Sequence, residues 1–185
     1  VDSHFASSQT ACLAGTYNPS TGSTSSNDCM DAAPGFFVEN VGSASQQACE
    51  LGYYQPNSGW LSCLMADPGN YVDTLAATAQ IACEAGTYNP NSGSTTAFAC
   101  LDAEPGNYVP DPASASQIPC EEGSYQNQRQ QTECKPASLG YFVNTTGSVS
   151  QTPSPLDYYT DMEGATEPFP CPEGRITMVE GSDDI

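Results

Sequence analysis

Apolar positions along this chain follow neither the 3.6-residue rhythm of an amphipathic helix nor the sustained alternation of a long strand; they come singly or in pairs between glycines. The recurring pattern is X-x2-Gly-x-(Tyr/Phe)-x4-Gly, with a closing position Z that lies 14 or 17 residues after X. X falls at Cys12, Ala32, Cys49, Ala66, Cys83, Ala103, Cys120, Ala137, Ser154 and Cys171. The first glycine is kept at every X except Ser154, where Asp157 takes its place, and the aromatic is kept except at Ile176. The second glycine gives way to Ala76, Ala113 and Gln130. A glycine, an aromatic, a polar turn such as Asn18-Pro-Ser-Thr-Gly22 and a short return predict one small β-hairpin per pattern. Prolines in the turns leave little room for helix.

Two hairpins make a larger repeat. Val1, Val38, Val72, Val109 and Val143 each open Val-x4-(Ser/Ala)-x-x-Gln, with successive starts 37, 34, 37 and 34 residues apart. The expected repeats are therefore 1–37, 38–71, 72–108, 109–142 and a degenerate 143–185, with a super-period of 71 residues. Val1 aligns with valines inside a hairpin, so the segment is expected to begin mid-unit and to belong to a longer repetitive chain or a head-to-tail polymer.

The cysteines obey the half-repeat. Where X is cysteine and Z is present, Z is cysteine; where X is alanine, Z is Gln46, Gln80, Gln117 or Gln151. The degenerate pair Ser154 and Pro168 lacks cysteine at both ends. Residues that vanish together within one chain are most simply bonded, which predicts Cys12–Cys29, Cys49–Cys63, Cys83–Cys100 and Cys120–Cys134, with Cys171 bonded outside the segment. Each bond closes a loop of about 15 residues and contributes roughly 3 kcal/mol. The Ala/Gln hairpins are then expected to lean on their stapled neighbours, the aromatics to plug the spaces between hairpins, and 137–168, with two successive unstapled hairpins, to be the weak stretch.

Composition agrees. Only 38% of the 185 residues are apolar, too few for a continuous core, and nine cysteines supply a substitute that needs an oxidising compartment. The expectation is an all-β, disulfide-rich, elongated rod of tandem hairpins with almost no helix. A net charge of −19 repels nucleic acid and anionic lipid, and no apolar run reaches the length of a membrane span. One histidine, His4, gives no basis for a nucleophilic triad, so no enzyme is expected. Zinc needs paired cysteine spacing that is absent. The cofactor expectation is none; calcium bridging through Asp67, Asp73, Asp102, Glu104, Glu121 or Glu122 is the minor alternative, without a recognisable calcium loop. Asn144-Thr145-Thr146 is an N-glycosylation sequon.

Cys12-x2-Gly15-x-Tyr17…Cys29, Cys49-x2-Gly52-x-Tyr54…Cys63 and Cys171-Pro-Glu-Gly174 resemble the ephrin-receptor-like cysteine-rich repeats and the simplest hairpin module of tumour-necrosis-factor-receptor cysteine-rich domains. The Cys-x2-Cys junction of such repeats is missing: Ala32 and Gln46 stand where cysteines would. The resemblance implies an extracellular stalk of the kind found in receptors, adhesins and flagellar-hair filaments. A structural stalk or glycosylated filament, partnered by copies of itself or neighbouring repeats, is the expected function; a ligand-binding or adhesive receptor module is the alternative. Trp60, Arg129 and Lys135 break the pattern and are the candidate contacts, with Trp60 expected to pack within its own rod.

Overall fold

The structure is a computed structural model, and it describes residues 10–184. Val1 and His4 lie outside the described residues. Among the described residues nine two-stranded antiparallel hairpins follow one another. In order they pair Thr16–Tyr17 with Met30–Asp31, Phe36–Phe37 with Gln47–Ala48, Tyr53–Tyr54 with Leu64–Met65, Asn70–Tyr71 with Ile81–Ala82, and Thr87–Tyr88 with Leu101–Asp102. Four more pair Asn107–Tyr108 with Ile118–Pro119, Ser124–Tyr125 with Lys135–Pro136, Tyr141–Phe142 with Thr152–Pro153, and Tyr158–Tyr159 with Phe169–Pro170. They are numbered hairpins 1 to 9 here; the segment opened by Cys171 forms a turn without paired strands. The chain divides into two compact units, Val1–Ile81 with Asn91–Ala99, and Ala82–Pro90 with Cys100–Ile185.

Two-residue strands cannot stabilise a hairpin in water. Main-chain bonds to the next hairpin supply what the ladder lacks, and they repeat in both units. The amide at the second-glycine position donates to the X carbonyl of the preceding hairpin, as Gly42 does to Cys12 (2.8 Å) and Gly147 to Cys120 (2.7 Å). The first-glycine amide donates forward to the carbonyl of the residue after the next aromatic: Gly15 to Val38 (2.7 Å), Gly123 to Val143 (2.8 Å). That residue's own amide donates one hairpin further, Val38 to Trp60 (3.0 Å) and Val143 to Ala165 (2.9 Å). These bonds satisfy backbone groups that the short strands leave unpaired.

The two glycine series have different causes. All residues at both positions hold positive φ, including Ala76, Ala113, Gln130 and Asp157 where glycine is replaced. At the first position there is also a wall. A Cβ on Gly15, Gly35, Gly52, Gly86, Gly106, Gly123 or Gly140 would fall within 3.0 Å of a carbonyl oxygen at the second-glycine position two hairpins along. Asp157 is the exception at this position, and its amide donates to Thr177 Oγ1 at 2.8 Å. At the second position space is open around Gly22 and ordinary around Gly42 and Gly147, so alanine and glutamine are tolerated in three hairpins.

The core is thin and consists of X together with the residue after the aromatic. Ala32, Cys49, Ala66, Ala103, Cys120 and Ala137 are fully covered, as are Val72, Val109, Gln55 and Asn89. The motif aromatics are less deeply covered. None of the nine motif aromatics, Tyr17 to Tyr159, is buried; each lies half-covered on its hairpin. Side chains alternate across a strand, so when the following residue points into the stack the aromatic points away from it. There it faces its cross-strand partner, as Tyr17 faces Met30 and Tyr54 faces Leu64.

Candidate contact surface

Four disulfides join X to Z: Cys12–Cys29, Cys49–Cys63, Cys83–Cys100 and Cys120–Cys134, with separations of 17, 14, 17 and 14 residues. The length difference is one turn of 3-10 helix, Ser26–Asp28 in hairpin 1 and Ala97–Ala99 in hairpin 5, placed directly before the closing cysteine. Cys171 is unpaired and half-covered. Disulfides of this density fit a secreted or extracellular protein. Among the described residues no helix is long and apolar enough to cross a membrane.

The Ala/Gln hairpins do not rest on their neighbours alone. Each closes with a clasp in which the Z glutamine Oε1 accepts the amide of the residue after X. Gln46 takes Ala33 (2.7 Å), Gln80 takes Asp67 (2.8 Å), Gln117 takes Glu104 (2.8 Å) and Gln151 takes Ser138 (2.7 Å). Hairpin 9 has neither device. Ser154 and Thr160 are fully buried there with their hydroxyls 3.1 Å apart. Within 137–168 it is therefore the second hairpin that lacks closure.

Stapled hairpins carry a further element that sequence reasoning missed. The residue after the aromatic is a buried valine in clasped hairpins, Val38, Val72, Val109 or Val143, and an amide in stapled ones, half-buried at Asn18 and buried at Gln55, Asn89 and Gln126. Gln55 Nε2 donates to the Ser62 carbonyl (2.9 Å) while its Oε1 accepts the Asn57 amide (3.2 Å). Gln126 repeats this with Glu133 (2.8 Å) and Gln128 (3.2 Å). A buried amide costs free energy unless it is bonded, and here it organises the turn. The strict alternation of amide and valine at this position was the signal available.

Hairpins 3 and 7, one super-period apart, thus share a frame: the same disulfide spacing, a Cα–Cα distance of 5.8 Å in each, and the same buried glutamine. Their outer surfaces differ. Hairpin 3 exposes Trp60, Leu61, Leu64 and Met65; hairpin 7 has Gln131, Thr132, Lys135 and Pro136 in their place. The Trp60 backbone carbonyl accepts from the Val38 amide at 3.0 Å, and the residue is 45% exposed. Arg129 forms an ion pair with Glu104 of hairpin 6 at 2.8 Å, and both side chains are largely solvated, so the pair contributes little stability. Lys135 Nζ donates to Asn127 Oδ1 at 3.0 Å. The structure brings Arg129 and Lys135 onto one hairpin and leaves Trp60 on another.

The other candidates lie apart. Asn144 is exposed at the entry to the turn of hairpin 8. Asp67 accepts a bond from Gln80 Nε2 (3.0 Å) and Glu104 is taken up by Arg129. Among the described residues no three His, Cys, Asp or Glu side chains converge to hold a metal ion. Compared with known families and with curated proteins, the chain matches no family model and no curated sequence.

Proposed function

We propose that this chain is an extracellular structural protein whose tandem hairpins build a stalk or filament, in the manner of the ephrin-receptor-like repeats it resembles. One observation supports this reading above the rest: the bonds between successive hairpins are main-chain bonds repeated in register, with glycine seats that are indifferent to outer side chains. Such an arrangement extends by simple addition, as solenoid repeats do. A net charge of −19 keeps an extended polymer soluble. Exposed Asn144 in its sequon suits a glycan-bearing surface. Electron microscopy of native material tests the reading. Continuous fibres are the expected result, and isolated short particles that capture a soluble ligand would replace it with the receptor-module reading.

A further inference from the structure

Asn144-Thr145-Thr146 in hairpin 8 is the sole sequon of the chain, since the proline in Asn18-Pro19-Ser20 disqualifies Asn18. All three residues are exposed. Attachment of an oligosaccharide uses the asparagine amide and the hydroxyl two residues on, and these are the two side chains the turn leaves free. Thr145 Oγ1 lies 2.9 Å from Ser148 Oγ, and Ser148 Oγ donates to the Thr145 carbonyl at 2.6 Å, so the middle residue holds the turn. Among the described residues neither Asn144 nor Thr146 makes a side-chain hydrogen bond. Asn18 of hairpin 1 is engaged at both ends of its amide: Nδ2 donates to Ser23 Oγ (2.9 Å) and Oδ1 accepts the Ser20 amide (2.9 Å). Val143 points into the core, so Asn144, next along the chain, faces outward.

The sequon also has a particular neighbour within its own unit. Val143, immediately before Asn144, donates its amide to the Ala165 carbonyl of hairpin 9 at 2.9 Å. Gly123 meets both hairpins, donating to the Val143 carbonyl (2.8 Å) and lying against the Gly164 oxygen. Hairpin 9 has neither staple nor clasp, and Asp161, Met162 and Glu163 stand exposed in its turn directly before Gly164. Exposed turns of weakly held elements are where proteases cut. We propose that Asn144 carries an N-linked oligosaccharide whose bulk covers the turn at 161–164 and shields the unclosed hairpin from proteolysis. In the transfer Asn144 Nδ2 bonds to the anomeric carbon of an oligosaccharide carried on a lipid diphosphate. The carbon–oxygen bond to the diphosphate breaks, the lipid diphosphate leaves, and one amide proton passes to a base of the transferase. The proposal rests on the extracellular part of the reading above, because such transfer takes place on the secretory route.

Secretion of the chain from a eukaryotic host, with its mass measured before and after treatment with an N-glycan amidase, tests the first half. The expected result is a glycan mass lost on treatment, with Asn144 converted to aspartate. T146S retains the glycan, whereas T146V and N144Q lose it. A glutamyl endopeptidase tests the second half through cleavage after Glu163. Cleavage is expected to be several-fold faster in the amidase-treated chain, T146V and N144Q than in the glycosylated chain and T146S. In chain made without glycan in a bacterial host and oxidised to its four disulfides, N144Q and T146V should leave the rate unchanged. An unmodified Asn144 overturns the proposal. So does a glycosylated chain cut after Glu163 as fast as its treated form, or a rate that N144Q and T146V alter in the bacterial chain. A secreted, fibre-forming chain without the glycan would remove this site and leave the structural reading standing; a glycosylated, shielded chain that forms no fibres would do the reverse.

Discussion

Stapled and clasped hairpins solve one problem at different strengths. In hairpin 7 the base is closed by Cys120–Cys134 and the turn is organised by buried Gln126; in hairpin 6 the base is closed by one bond from the Glu104 amide to Gln117, and Val109 fills the interior. A disulfide over a loop of this length contributes about 3 kcal/mol and a side-chain hydrogen bond about 1 kcal/mol. Yet the two are joined to their neighbours identically, with Gly106 donating to Gln126 (2.7 Å) and Gly123 to Val143 (2.8 Å). Closure thus differs between hairpins 6 and 7, whereas the seat that joins each to its neighbour is the same.

The largest effects are expected at that seat. G106A and G123A each force a Cβ against a backbone oxygen at left-handed φ, a cost of about 3–5 kcal/mol from overpacking and backbone strain together. Chemical denaturation of the variants should find both equally damaged; a stapled hairpin that tolerated the change would mean that the seat depends on closure after all. G147A, at the open second position, should lose only about 1 kcal/mol. Next in size is removal of the staple. C120S/C134S should cost about 3 kcal/mol, read as a loss of hydrogen-exchange protection centred on hairpin 7.

Q117A should cost about 1 kcal/mol, visible as faster exchange of the Glu104 amide. Equal losses in Q117A and C120S/C134S would erase the distinction between clasp and staple. Hairpin 9, with neither, should exchange fastest of the unit's paired hairpins. The smallest effect has the opposite sign: A113G relieves a residue held at φ 58° and should gain up to about 1 kcal/mol, measured as a higher denaturation midpoint.

Much of this frame could be read in advance, because glycine, cysteine and their spacing are imposed by backbone conformation and covalent reach. The replacements at Ala76, Ala113, Gln130 and Asp157 fell in register and adopt the backbone of the glycines they replace. The clasp was harder to see. Gln46, Gln80, Gln117 and Gln151 were read as the absence of a staple, since a glutamine's usefulness depends on an amide 13 residues away. Burial misled in two directions. Gln55 and Gln126 lie inside although polar, because each bonds its own turn, and the motif aromatics lie half-outside because pleating sends the next residue inward. The exposure of Trp60 was unreadable for a related reason: its position is anchored by a carbonyl, which every residue has.

The short 3-10 turns of hairpins 1 and 5 bear on how such a chain changes over generations. Ser26–Asp28 and Ala97–Ala99 lengthen their hairpins by three residues while Cys12–Cys29 and Cys83–Cys100 keep the same 5.6 Å Cα–Cα span. Insertion just before a closing cysteine is thus silent to everything beyond it. That site is where a short foreign peptide should be carried without loss of register.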